Sequence, residues 1–193
     1  IALDAASGTE VWKTRTIAEQ PAKREKNARG VQLWGPSGAA IWSAPTLDPE
    51  HDTLYVTTGD AYSDPPAKES DAVIALAMST GKVRWLRQMT AGDAYTVACA
   101  DKRPEALVAC PKSNGPDLDF GSSAILVTRA DGARVLLAGQ KSGVLHALNP
   151  ADGNVLWQTR VSAGGIVGGI EWGFAADDKR AWLAIAEAFE KKA

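Results

Sequence analysis

An all-β fold, built as part of a β-propeller, is what this sequence of 193 residues predicts, and three observations carry the prediction. A strand-turn-strand phrase occurs three times: Ala2-Leu3-Asp4-Ala5-Ala6-Ser7-Gly8-Thr9-Glu10-Val11-Trp12 returns over residues 75–85 and again over 147–157, spacing Trp12, Trp85 and Trp157 by 73 and 72 residues. Short β-rich runs, Thr53-Leu54-Tyr55-Val56-Thr57-Thr58 and Arg134-Val135-Leu136-Leu137-Ala138, stand upstream of the second and third copies between Asp, Pro and Gly clusters, as antiparallel strands joined by hairpins do. No segment with a helical period interrupts the series before residue 184.

Each copy reads as the end of one strand, a tight turn closed by a glycine free to adopt positive φ, and a second strand carrying the tryptophan. A unit of about four short strands ending in a Trp that packs on its neighbour is a propeller blade, and a closed ring takes about four to eight of them. The chain therefore reads over 1–193 as a partial propeller of two to three blades, two complete and parts of two others, with 187–193 as a frayed or helical tail. It opens at Ile1, inside a strand-turn-strand unit, so the natural start is expected upstream. Gly38-Ala39-Ala40-Ile41-Trp42 and Gly168-Gly169-Ile170-Glu171-Trp172 match as blade starts, and Gly115-Pro116-Asp117-Leu118-Asp119-Phe120-Gly121-Ser122-Ser123 falls at the equivalent place between them. Innermost strands line a propeller channel, which predicts that Trp42, Asp119 and Trp172 approach one axis.

Composition narrows the function. Hydrophobic residues make up 45% and charged residues 23%, with a formal net charge of -2 and no block of five like charges, which argues against nucleic acid or an anionic membrane surface as partner. No apolar run reaches the length of a membrane helix. Cys99 and Cys110 stand eleven positions apart in a Pro-rich loop without a nearby His or a CxxC partner. That pattern disfavours a metal site and predicts one loop disulfide, the alternative being two free thiols. A disulfide suits an oxidising compartment such as a periplasm. His51 and His146 lack a catalytic partner pattern and are read as structural, and the charged stretch 19–29 as a solvated loop.

Two acidic residues, Asp117 and Asp119, sit on a Gly/Pro-rich lip before a β-rich run, and Lys141 follows Asp119 by twenty-two residues. Asp in such a place is often a plain turn residue. The repeat, together with Trp34-Gly35-Pro36, Trp42, Cys110-Pro111, Asp119 and Lys141 in that order, resembles the pyrroloquinoline quinone (PQQ) dependent alcohol dehydrogenases, above all the branch that oxidises polyvinyl alcohol. The resemblance implies an eight-bladed propeller in the complete protein, with PQQ and calcium as cofactors, an alcohol or polyol polymer as substrate, and a cytochrome c as electron acceptor. No CxxCH haem motif is present.

Carried over residue by residue, the resemblance places Trp42 as the floor under the quinone ring, Lys141 on the quinone oxygens and Asp119 as catalytic base touching the metal. Trp172 is expected to line the cofactor, and Asp117 to line the site. Asp60 falls where the family usually has an Asn ligand to calcium, a departure that keeps an oxygen ligand and adds a charge. Gly121 stands where lanthanide-dependent relatives carry a further Asp, which favours calcium. Other ligands of the family lie before Ile1, so the isolated chain is expected to be inactive. The alternative is a non-catalytic propeller of the same repeat, serving as a protein scaffold in the cell envelope.

Overall fold

The structure, a computed structural model that describes residues 1–187, shows how the repeated turn closes. In all three copies a glycine N–H donates to the carbonyl four residues back, Gly8 to Asp4, Gly81 to Ala77 and Gly153 to Asn149, each at 2.8 Å. Their φ angles of 71°, 69° and 70° lie in the left-handed region, which glycine enters without penalty. Asp4 Oδ1 and Asn149 Oδ1 also accept the N–H two residues on, from Ala6 and Ala151. The middle copy has Ala77 at that place, and Asp52 reaches over from another turn to accept the Ser79 N–H at 2.8 Å.

These turns join the strands of an all-β chain. First come two hairpins, β1 (Ala2–Leu3) with β2 (Glu10–Trp12) and β3 (Ala22–Lys26) with β4 (Gln32–Gly35). A four-stranded antiparallel meander follows: β5 (Thr46–Asp48), β6 (Thr53–Thr57), β7 (Ala72–Ala77) and β8 (Val83–Gln88). The second meander is β9 (Ile125–Thr128), β10 (Arg134–Gly139), β11 (Val144–Leu148) and β12 (Val155–Arg160). Two short pairs complete the described chain, β13 (Gly168–Gly169) with β16 (Ala186–Glu187) and β14 (Phe174–Ala176) with β15 (Ala181–Leu183). The architecture is two whole blades flanked by parts of others.

Three local readings change or sharpen. The charged stretch read as a loop contains strand β3, which pairs with β4 beyond it; all five residues of β3 are exposed, so no apolar alternation marks it, and its Lys23 ammonium lies 5.8 Å from the Trp34 ring centroid. Between β8 and β9 are two single turns, α1 (Val97–Ala100) and α2 (Pro104–Leu107), four residues each and too short to show a helical period. The Cys99–Cys110 disulfide ties them together, which removes the free-thiol alternative. At the end of the chain Ala186–Glu187 form a strand, and the rest of the expected tail lies outside the described residues.

Packing occurs between blades. Tyr55, Val73 and Ala75 of the first meander meet Phe120, Ala124, Leu136, Ala138 and Leu148 of the second, while the opposite face of the second buries Val135, Leu137, Leu145 and Ala147 against Ile170. Because β7 is buried along its whole length, it reads as a continuous apolar run rather than an alternating one. The first two repeat tryptophans clamp the next turn. Trp12 Nε1 donates to the Met78 carbonyl at 2.7 Å and Trp85 Nε1 to the Pro150 carbonyl at 3.0 Å, and two residues later Thr14 and Arg87 donate to the carbonyls of Gly81 and Gly153. The indoles lie flush on those glycines: a Cβ on Gly153 would sit 2.6 Å from Trp85 Cε3.

Gly8 and Gly153 share nearly the same φ, but a Cβ on Gly8 meets nothing within 4 Å. Backbone strain therefore cancels when Gly8→Ala and Gly153→Ala are compared, leaving the displaced Trp85. We expect Gly153→Ala to be the more destabilising by about 1–3 kcal/mol in urea denaturation; equal losses would show that tryptophan docking does not hold the blades.

Candidate functional site

The loops at one end of the blades are laced together by backbone hydrogen bonds, and this lacing places the polar residues. Ala39 N–H donates to the Asp60 carbonyl at 2.7 Å and Gly59 N–H to that of Ala40 at 2.8 Å. Asp71 N–H reaches the Gly59 carbonyl, Phe120 N–H that of Thr58, Lys141 N–H that of Asp119 and Ile170 N–H that of Gln140, all within 3.1–3.3 Å. Segments far apart in sequence thus lie side by side. Ala39, Asp71 and Asp117 hold φ between 49° and 60°, a left-handed backbone that costs about 1 kcal/mol or more for a residue with a Cβ. Such strain gathers where the surrounding structure fixes it.

Lys141, buried, stands at the centre. Its Nζ lies 2.8 Å from Asp119 Oδ1 and 3.1 Å from Asp117 Oδ1, and 5.3 Å from the centroid of the Trp42 ring. Burial works to lower the Lys141 pKa, and the two aspartates outweigh it, so the ammonium is held charged. Burial raises the Asp119 carboxyl above the usual range while the Lys141 charge and the Trp42 indole N–H act against that rise. Trp42 is 43% exposed and Trp172 is 74% exposed; their centroids are 6.3 Å apart and their planes cross at 87°. An open aromatic corner therefore sits beside a buried ion pair.

Two glycines make room for the Trp42 ring. A Cβ on Gly59 would sit 3.0 Å from Asp119 Oδ2 and 3.2 Å from Trp42 Nε1, and one on Gly121 would sit 2.7 Å from Trp42 Cη2 and 2.6 Å from the Glu171 carbonyl. No Asp fits at Gly121 without moving that ring. Asp60 and Asp117 join Asp119 in a group whose carboxylate oxygens lie within 4.8 Å of one another. Asp60 Oδ1 is buried without a hydrogen-bond partner. Burial, a hydrogen bond that the protonated Asp60 donates to Asp117, and the charges of Asp119 and Asp71 push the Asp60 carboxyl up to about 11.

Trp42, Asp60, Asp117, Asp119, Lys141 and Trp172, all singled out from the sequence, come together here. Three further acidic residues were missed. Asp71 and Asp93 are buried beside Asp60, and the Glu171 side chain is buried with Oε2 unpaired. For Asp93 the sequence holds a signal: Gly-Asp-Ala-Tyr occurs twice, at 59–62 and 92–95. The two copies pair in parallel through Ala61 and Ala94, with Tyr95 N–H donating to the Ala61 carbonyl at 2.8 Å. Asp93 then accepts the N–H groups of Asp117 and Leu118 and so shapes the lip that carries Asp119. His51 caps the Asp48–Arg134 ion pair. His146 is packed between Gln140 and Gln158 and pushed down to about 4 by burial.

Comparison with known proteins gives a consistent result. The family model for the PQQ glucose/ethanol/alcohol dehydrogenase β-propeller domain matches residues 1–100. A polyvinylalcohol dehydrogenase of Pseudomonas sp. is 44% identical over 193 residues, all of this chain and 29% of that protein. One of Sphingopyxis sp. (strain 113P3) is 43% identical over 188 residues, 97% of this chain and 29% of that protein. A quinohemoprotein alcohol dehydrogenase of Comamonas testosteroni is 30% identical over 112 residues, 48% of this chain and 16% of that protein. The chain thus spans under a third of the length of these relatives.

The buried acids give the metal-free chain an inverted pH dependence. A carboxyl whose folded pKa is raised stabilises the fold while protonated; that contribution is complete below the unfolded value near 4 and is lost as pH rises toward the folded value. Asp60 therefore titrates in the folded state above pH 9, and His146 contributes no slope above its unfolded pKa of about 6.5. In chelator we expect stability to fall between pH 7 and 9 by about 1 kcal/mol per pH unit or more, and Asp60→Asn to reduce the fall. Asp71, pushed up to about 8 by burial and the Asp93 charge, adds to its lower part. A wild-type profile level over that window in urea titrations would refute the assignment.

Proposed function

The chain belongs to the PQQ family of glucose, ethanol and alcohol dehydrogenase β-propeller domains, and from that premise we propose that its buried cluster is the proton-accepting and cofactor-holding part of an alcohol-oxidising site. The observation that carries this reading is Asp119 held 2.8 Å from Lys141 Nζ directly beside an exposed Trp42. A base, a fixed positive charge and a flat apolar surface are what oxidation of an alcohol by a planar quinone requires.

The residues fit the groups that the family implies. Trp42 would carry the flat face of PQQ with Lys141 at its oxygens, and Trp172, standing perpendicular, would wall the pocket rather than form a second stacking face. Asp60 and Asp119 would hold calcium: Asp60 Oδ1 has no protein partner, and three carboxylates crowd one ammonium. When bound, the quinone supplies a two-electron acceptor and calcium supplies positive charge next to the reacting oxygens.

The chain's own contribution is electrostatic and acid–base. Asp119 takes the hydroxyl proton of the substrate. Burial raises its pKa and makes it a stronger base than a solvated carboxylate, and Lys141 acts against that rise. Lys141 cannot easily lose its proton between two aspartates, so it presents a permanent positive charge where negative charge develops. Support for a secondary alcohol of the polyvinyl-alcohol kind as substrate comes from the two relatives of 43–44% identity. The name of the quinohemoprotein relative supports a cytochrome c as electron acceptor, and the disulfide favours a periplasmic setting. A scaffold propeller gains nothing from burying these charges, whose desolvation costs several kcal/mol per ion.

The test is a chimaera in which these 193 residues replace the matching segment of the Pseudomonas sp. polyvinylalcohol dehydrogenase. It should oxidise polyvinyl alcohol and a small secondary alcohol only when loaded with PQQ and calcium. Asp119→Asn should lower kcat by about 10²–10⁴-fold while PQQ still quenches tryptophan fluorescence. Oxidation that persists in the variant would remove Asp119 as the base, and a folded chimaera that neither binds PQQ nor oxidises anything would turn the reading to the scaffold.

A further inference from the structure

Behind Asp60, away from Asp119 and Lys141, lies a second carboxylate group. Asp60, Asp71 and Asp93 each offer an oxygen within 4.8 Å of the others, and all three are buried. Asp71 is the telling member. It is 0% exposed, yet neither Oδ1 nor Oδ2 has a hydrogen-bond partner. Its backbone is held on both sides, N–H to the Gly59 carbonyl and carbonyl to the Met89 N–H, at a left-handed φ of 49°. The chain thus fixes this carboxylate at a strained position, and among the described residues neither of its oxygens meets a donor in hydrogen-bond geometry.

Asp60 and Asp93 reach the same place by a related route, being the second residues of the two Gly-Asp-Ala-Tyr segments that pair in parallel. Gly115 leaves room for Asp93, since a Cβ there would overlap its carboxylate. Both Asp93 oxygens accept backbone N–H groups, which fix the carboxylate in place and leave lone pairs over. Asp60 Oδ1 has no partner at all.

We propose that Asp60, Asp71 and Asp93 form a second, inner calcium site, with Asp60 bridging it to the outer group of Asp60, Asp117 and Asp119. Carboxylate oxygens no more than 4.8 Å apart suit an ion with oxygen ligands at about 2.3–2.6 Å. Charge agrees with geometry. The five aspartates and the buried Glu171 lie around one ammonium, Lys141; one divalent ion leaves the group three charges negative, and a second leaves it one. The inner ion would brace Asp60, and through Asp93 the lip that presents Asp119. The inference rests on the reading above only through the shared Asp60.

The metal-free chain of 193 residues, titrated with calcium by calorimetry and checked by equilibrium dialysis, decides the matter. Two calcium ions per wild-type chain are expected, falling to one in Asp71→Asn, with Asp119→Asn keeping the ion that Asp71→Asn loses. A single ion lost in Asp71→Asn and kept in Asp119→Asn upholds the inner site and sinks the outer one. A single ion with the opposite pattern, or two ions retained in Asp71→Asn, overturns the inner site and leaves the proposed function standing. Should Asp71→Asn fail to fold, the Asp119→Asn chain decides: an ion retained there upholds the inner site, and none overturns it.

Discussion

The docking of a repeat tryptophan on the glycine of the next turn is the constraint on which the rest depends. Trp85 lies on Gly153 and donates to the Pro150 carbonyl; the Tyr55 hydroxyl donates to the same carbonyl at 3.1 Å. One carbonyl thereby anchors two aromatic side chains of the neighbouring blade. With the outer rim pinned, the inter-blade core closes over Tyr55, Phe120 and Leu136, and the inner loops have one relative position. Only then do Trp42 and Asp60 from one blade meet Asp119 and Lys141 from the next.

That meeting is electrostatically expensive. Five buried aspartates share one ammonium, and a carboxylate taken from water without compensation is disfavoured strongly enough to protonate instead. The fold meets part of the demand with backbone N–H groups on Asp93 and Lys141 beside Asp117 and Asp119. It meets none of it at Asp71. A protein that needed only stability would place apolar residues here, because replacing buried charges by well-packed hydrophobes is often neutral or favourable. Under the proposed function they are retained because the site takes up positive charge.

The disulfide-bonded excursion between β8 and β9 belongs to the same design. Ala94, at its start, bridges both Ala61 and Asn114, and Asp64 accepts N–H groups of Lys112 and Ser113 at its end. The Cys99–Cys110 bond closes the segment between these anchors. A long connection is thereby converted from a source of disorder into a support for the lip bearing Asp117 and Asp119.

Blade number, turn chemistry and the identity of Trp42, Asp119 and Lys141 were legible in the sequence. Turn glycines, strand alternation and repeat spacing are local properties, and the order of those three residues matched a known family. Asp71 was not legible, because an aspartate before an apolar strand looks like any turn residue until its neighbours are known, and Asp93 was marked only by its repeated Gly-Asp-Ala-Tyr context. The hairpin of Ala22–Lys26 was hidden as well, since a strand exposed on every residue carries no alternation. The sequence by itself therefore determined the blades and the chemistry available to them. Tertiary structure alone decided which carboxylates are buried together, because desolvation and charge proximity are sums over segments tens of residues apart that no short window of sequence contains.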